Sequence, residues 1–580
     1  MELRSDEIGI DSLIAVEMRT WFLQNYEANI PVLSILGGVS LADLVNQVVR
    51  EMPEHLTPNI VSDKEDGMPL ETNRSPPSSE RESSSAESIS GDGSTSYASG
   101  SHSGELDVMI PLSETSSAPD IIEKPAVVVE RSTSLSFTQS MFWFVHMLIQ
   151  DKTTLNHTVL FKVSGNLRID DLREAVRKVG QHHEALRTLF FVDSNQHAMQ
   201  GVLETGTLEL EVSYIQQESD IMKEYESFRD HVFNLNTGEM TRIRMLSQSP
   251  SMNYLLVVCH HLILDGMSHM VFMNDLERAY NGQALDQHVL QYPDYAIRQR
   301  EEFREGKFED SLPYWRKEFA TIPDPLPLNR ARRTARQALD DYTITAVDLR
   351  IDTQLANKIR AVSRANRSTS FHFYLAAFEV LLYRLTNAKD FAIGIADGNR
   401  KEEAMLSSFG PYVNLLPLRF AIKPHTFRQA ISEARTKTLE ALAHSKVPFE
   451  VLLNELRVAR SLSHSPIFQA FIDYRQGTQE KQYFSNCLME IAKFEPGKTA
   501  YDLSIDIIDN PGSDALISVM AQEALYSHSD AQNITELYED ILKQFAESPE
   551  NRITAEWGYR DASVQRSLDL GRGRAFPQLF

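Results

Sequence analysis

Apolar positions repeat with two different periods along this chain, and the change of period marks out its elements. Near the start, Ile14, Met18, Trp21 and Phe22 stand at i, i+4, i+7 and i+8. That is the spacing of one helix face, so an amphipathic helix is predicted from Asp11 to Tyr26. Asp11 or Ser12 supplies its N-cap. Pro31 opens a short segment ending at Gly37-Gly38, and Ser40 caps a further helix running through Arg50. Beyond residue 130 strands and helices alternate. Thr158–Val163 reads as a strand, and Ile169, Leu172, Val176 and Val179 mark the helix that follows. Tyr254–Cys259 is a short, almost wholly apolar run, the pattern of a buried strand. Met273, Leu276 and Tyr280 place a helix over Met267–Tyr280. A second buried helix carries Phe371, Tyr374, Leu375, Phe378, Leu381, Leu382 and Leu385, with a strand at Phe391–Ala396 behind it. The fold class is an α/β (α+β) mixture with long connections, and no internal repeat is found.

Composition breaks once. Residues 71–104 hold 13 serines, and their only large apolar side chains are Ile89 and Tyr97. Such a stretch cannot bury enough surface to offset chain entropy, so it reads as a disordered linker extending over 53–130. It would tether a small front module (1–52) to a large body. The net charge of −24 argues against a nucleic-acid or acidic-membrane partner, because phosphate recognition needs a basic surface. Cys259 and Cys487 are too few for a disulfide framework or a four-cysteine zinc site. With no apolar span and no secretory leader at Met1, the expectation is a soluble cytoplasmic protein without membrane contact.

The densest chemistry is Cys259-His260-His261-Leu262-Ile263-Leu264-Asp265-Gly266, at the end of the buried strand. Imidazole titrates near neutrality, so a histidine held there can take a proton from an attacking amine or hydroxyl. Asp265, ionised and partly buried, needs a partner. Gly266 permits a tight turn and close approach of backbone to substrate. From the residues alone three readings stay open: a proton acceptor in a cleft, satisfied core histidines, or a metal pair from His261-x-x-x-Asp265, with His182-His183-Glu184 as its imagined complement. Two motifs are set aside. Pro496-Gly497-Lys498-Thr499 resembles the end of a phosphate loop, but Ala492 stands where its first glycine is needed. Gly9-Ile10-Asp11-Ser12-Leu13 lacks the second glycine of a hydrolase nucleophile elbow.

Seven ordered segments carry a more specific resemblance. They are Leu135–Phe144 (LSFTQSMFWF), His183–Phe190 (HEALRTLF), the His260–Gly266 cluster, Tyr292–Ala296 (YPDYA), Phe409–Pro417 (FGPYVNLLP), Val447–Glu450 (VPFE) and Ser463–Gln469 (SHSPIFQ). Together the body, over about 131–550, resembles a condensation domain of non-ribosomal peptide synthetases, especially those attached to fungal polyketide synthases. The resemblance implies two chloramphenicol-acetyltransferase-like lobes forming a V-shaped pseudo-dimer, at 131–300 and 301–550. Gly9–Leu13 and Pro31–Gly38 resemble the attachment motif and third-helix region of a polyketide acyl carrier. The usual first carrier helix has no counterpart here. In that family the serine, here Ser12, bears a 4′-phosphopantetheine arm. Glu556–Arg566 resembles the linker to an adenylation domain, within a tail at 551–580. The chain is therefore expected to be the end of a larger synthase, like that of the lovastatin-type nonaketide synthases.

The resemblance also implies a reaction in secondary-metabolite biosynthesis. Donor and acceptor carriers would bring a tethered acyl thioester and an amine to His261, which accepts the proton and positions the nucleophile, and an amide forms. His260 is expected to be structural. Asp265 is expected to pair with Arg400, in Asp397-Gly-Asn-Arg400, with Gly266 completing the site and no metal required. Two alternatives remain at this level: transfer to a hydroxyl to give an ester, or a non-catalytic platform that docks carriers and shapes product release.

Overall fold

The apolar run around Val257 forms the strand Met252–His260, one of the inner strands of a six-stranded sheet in a computed structural model of the chain. In order across that sheet lie Lys481–Phe484, Cys487–Glu495, Asn156–Ser164, Met252–His260, Thr241–Ser249 and Leu210–Tyr214. All neighbours are antiparallel except the last pair. Eight of the nine residues of Met252–His260 are buried, which is why its sequence shows a continuous apolar run and no alternation. Helices Ile169–His182, Glu218–Arg229 and Gly266–Tyr280 contribute to the same core.

A second six-stranded sheet runs Asn414–Ala421, Asp390–Asp397, Ala470–Arg475, Leu503–Asp509, Ala515–Gln522 and Ile344–Ile351. Its core is shared with helices Ser370–Thr386, Phe427–Ala443 and His528–Glu547. Ser370–Thr386 is buried on nearly every side, as a helix apolar all round must be. Val129–Ser134, Ala198–Leu203 and Thr188–Val192 form a small antiparallel sheet. The sequence halves 131–300 and 301–550 therefore each carry one large sheet, with one exchange. After Ala470–Arg475 the chain leaves the second sheet, contributes Lys481–Phe484 and Cys487–Glu495 to the first, and returns at Leu503. That crossing laces the two lobes together.

The structure describes residues 40–52 and 128–555, apart from 194–196, 328–338, 340, 459–460, 462 and 477–480, together with Met18, Phe22, Tyr26, Ala28, Ile30 and Ile35. Met18, Phe22 and Tyr26 are helical, within the predicted Asp11–Tyr26 helix. Ser40 caps Leu41–Glu51 by accepting from the Asp43 amide at 3.0 Å. Phe22, Ala28, Ile30, Ile35, Leu44 and Val48 bury one another beside Leu439 and Leu442. Ser12, most of the 53–130 linker and the 556–580 tail lie outside the described residues. Strand Val129–Ser134 begins within two residues of the expected linker end. Among the described residues no helix is long and apolar enough to cross a membrane.

Candidate active site

The site is built where the ladder between Asn156–Ser164 and Met252–His260 runs out. Asn156 pairs with His260, and one step further the His261 amide donates to the Leu155 carbonyl at 2.8 Å. The chain then turns through Leu262-Ile263-Leu264, all buried, and enters helix Gly266–Tyr280 with Asp265 as its N-cap. A strand end followed at once by a capped helix start holds His261 between two rigid elements.

His261 is half-buried. Its Nδ1–H donates to the Leu264 carbonyl at 2.6 Å, so the tautomer leaves the Nε2 lone pair free. Phe142 stacks on the ring with centroids 4.1 Å apart, and His157 meets it edge-on at 4.3 Å. Burial lowers the His261 pKa, partly offset by the Leu264 hydrogen bond and the Asp265 charge. The free base therefore predominates at neutral pH.

His260 points elsewhere. It is fully buried, accepts from the Leu262 amide at Nδ1 (3.2 Å), and lies 3.4 Å from His146 Nδ1 through Nε2. Burial holds its pKa well below the usual imidazole value and pushes His146 down to about 4. Both rings are neutral core groups.

Asp265 caps the helix through Oδ1, accepting from the Ser268 amide (2.9 Å) and hydroxyl (2.8 Å). The same oxygen accepts from Arg400 Nη2 at 2.9 Å, and Oδ2 accepts from the Tyr412 amide at 3.0 Å. Arg400, also 2% exposed, gives its other terminal nitrogen to the Met405 and Ser408 carbonyls and stacks over Tyr412 at 4.4 Å. Both Asp265 oxygens thus accept hydrogen bonds from protein donors. In the imagined complement, His183 Nε2 meets Asp275 Oδ2 at 2.8 Å. Among the described residues, His182, His183 and Asp275 are the one grouping of three potential ligands, and it contains neither His261 nor Asp265.

The φ of Gly266 is not positive, so the tight turn is not what requires glycine. Nothing lies within 4 Å of where a Cβ would stand, which leaves open room beside the Asp265 cap. Gly410 is a glycine that leaves no room for a side chain: a Cβ there would lie 2.0 Å from the Tyr292 ring. Tyr292 in turn donates to the Pro411 carbonyl (2.8 Å) and bonds the Ser136 hydroxyl (2.7 Å). Residues of four separated segments, at 136, 268, 292 and 410, so meet in one knot behind Asp265. Pro496–Thr499 joins two strands with no helix behind it, unlike a phosphate loop. Sequence reasoning assigned no role to Phe142, His157, His269 or Tyr412; the signals were that Phe142 and Tyr412 lie in the segments Leu135–Phe144 and Phe409–Pro417 and that the other two are histidines near the ends of predicted elements.

Two sheet-and-helix lobes joined behind a histidine-bearing turn define the class: a two-lobed α/β domain. The family model for the condensation domain matches residues 129–566, and the chain belongs to that family. It is 38% identical over 99% of its length to the hybrid PKS-NRPS synthetase pydA of Acremonium sp, and equally to the hybrid PKS-NRPS synthetase xenE of Xenoacremonium sinensis. The chain spans only 14% and 15% of those relatives. Among solved structures it is similar to the condensation domain from the monacolin K polyketide synthase MokA (28% identity, TM-score 0.69), covering 73% of this chain and all of that one. The X-domain from teicoplanin biosynthesis shares the fold (23% identity, TM-score 0.67), over 75% of this chain and 99% of that one.

Proposed function

We propose that this chain transfers a carrier-bound polyketide acyl group from its thioester to an amine, forming an amide, with His261 as proton acceptor. One observation carries the reading: the His261 Nδ1–Leu264 contact, which commits one ring nitrogen as donor and leaves Nε2 as a base in a half-buried setting. The amine nitrogen attacks the thioester carbonyl carbon, and the C=O pair moves onto oxygen. Nε2 takes the proton from nitrogen. Collapse restores the carbonyl and expels the thiolate, which receives that proton, leaving amide and free thiol. A thioester is already activated, so holding both tethered reactants together supplies most of the acceleration.

The remaining roles follow. Asp265 and Arg400 hold the helix start that positions His261, and Gly266 leaves room for a substrate arm. Residues 1–52 act as a partial carrier, with Ser12 as the attachment point for 4′-phosphopantetheine, and 53–130 as its tether. The partners are donor and acceptor carriers and the rest of a polyketide synthase, in the cytoplasm. The buried, unpaired thiols of Cys259 and Cys487 suit that reducing compartment.

The test loads a complete carrier with a model acyl chain, offers amines and alcohols, and identifies products by mass. Amide formed by the wild type and lost in His261→Ala is expected. Ester as the main product would favour the hydroxyl reading, and equal rates in the two proteins would favour a docking platform.

A further inference from the structure

His157, second residue of the strand Asn156–Ser164, is used by no step above. It is 7% exposed, and neither Nδ1 nor Nε2 has a hydrogen-bond partner among the described residues. Its ring lies 4.3 Å from that of His261 and 5.8 Å from that of His269, whose Nε2 is also buried without a partner. On another side it faces the crossing segment. The Lys498 amide donates to the Thr154 carbonyl at 2.7 Å, and a Cβ on Gly497 would stand 3.5 Å from His157 Nε2. Glycine at 497 keeps a side chain away from that nitrogen.

A neutral imidazole always carries one N–H and one lone pair, and folded proteins leave few such groups buried and unmatched. Where one persists beside a reactive group, a substrate atom is the natural partner. Burial and the neighbouring imidazoles hold His157 well below the ordinary imidazole pKa, so it meets substrate uncharged. It can then donate a hydrogen bond without competing with His261 for the amine's proton.

We propose that His157 is a second imidazole of the reaction centre, donating its N–H to the thioester carbonyl oxygen as that oxygen takes on negative charge. The proposal rests on the acyl-transfer reading. When the amine attacks, the carbonyl pair shifts onto oxygen and the His157 hydrogen bond strengthens. On collapse the pair returns, the carbon–sulfur bond breaks, and His157 keeps its proton throughout. A donor fixed in place before the reaction is the arrangement that stabilises such an oxyanion.

The test compares wild type, His157→Phe and His157→Gln in the full chain with an acyl-loaded carrier and an excess of amine. Phenylalanine keeps the ring packed against His261 and removes the N–H; glutamine keeps a donor and removes the ring. The expected result is a kcat loss of about 10²–10³-fold for His157→Phe with KM within about twofold, and a loss under about tenfold for His157→Gln. The acid limb of the kcat profile should stay where His261 sets it. Equal kcat in His157→Phe and wild type, a loss confined to KM, or a slow His157→Gln beside a fast His157→Phe would each overturn the proposal. Absence of transfer by the wild type would instead remove the reading on which it rests.

Discussion

Asp265 and Arg400, 135 residues apart in sequence, share a 2.9 Å hydrogen bond between the two lobes, with both side chains almost wholly removed from solvent. The carboxylate also caps helix Gly266–Tyr280, so one group closes the lobe junction and starts the helix behind His261. Removing either charge leaves the other buried and unmatched. Asp265→Ala should cost about 3–5 kcal/mol, read as a lowered urea midpoint. Wild-type stability with activity lost would show instead that Asp265 acts on substrate.

Gly410 tests the knot behind that pair. A methyl group there meets the Tyr292 ring, which is anchored at Pro411 and Ser136 and cannot swing away cheaply. Gly410→Ala should destabilise by about 1–3 kcal/mol. Tyr292→Ala added to it should recover less than it removes, because that ring is itself buried. Thermal melts of the two variants check both statements.

Gly266 should behave in the opposite way. With open space where its side chain would be, Gly266→Leu is expected to keep the wild-type melting temperature within a degree or two's worth of free energy, roughly 0.5 kcal/mol. Acyl transfer should nevertheless fall if the proposed substrate arm uses the open room beside the Asp265 cap, which the new side chain fills. An undiminished rate would mean that substrate does not use this space.

Stability should fall on the acid side. Burial depresses the pKa of His260 and His157 well below 6.5, that of His146 and His269 to about 4, and that of His372 to about 3. Below 6.5 the unfolded chain binds protons that the folded chain refuses, so unfolding becomes easier as pH falls. The stabilisation is complete above 6.5 and is lost progressively towards each depressed value. His146 alone accounts for about 3 kcal/mol across that window. Denaturant midpoints at pH 7.5 and pH 5 measure the effect; a flat profile would contradict the neutral burial of these rings.

Local pattern carried much of this protein. The apolar run Tyr254–Cys259, the helix periodicity from Phe371 to Leu385 and the Ser40 cap depend on neighbours within a few positions, so each was legible before any contact was known. The placement of His261 at a strand end, followed by Asp265 at a helix start, was legible for the same reason. What tertiary structure alone decided is which distant group answers each polar side chain. The Asp265–Arg400 pair was expected from the resemblance, but that Asp275 answers His183, that His157 lies against His261, and that the strand Cys487–Glu495 crosses into the first sheet came only from the fold. Period and composition constrain a residue's own backbone and face. The meeting of side chains far apart in the chain is set by sheet register and lobe packing, and those follow from the summed burial of both cores.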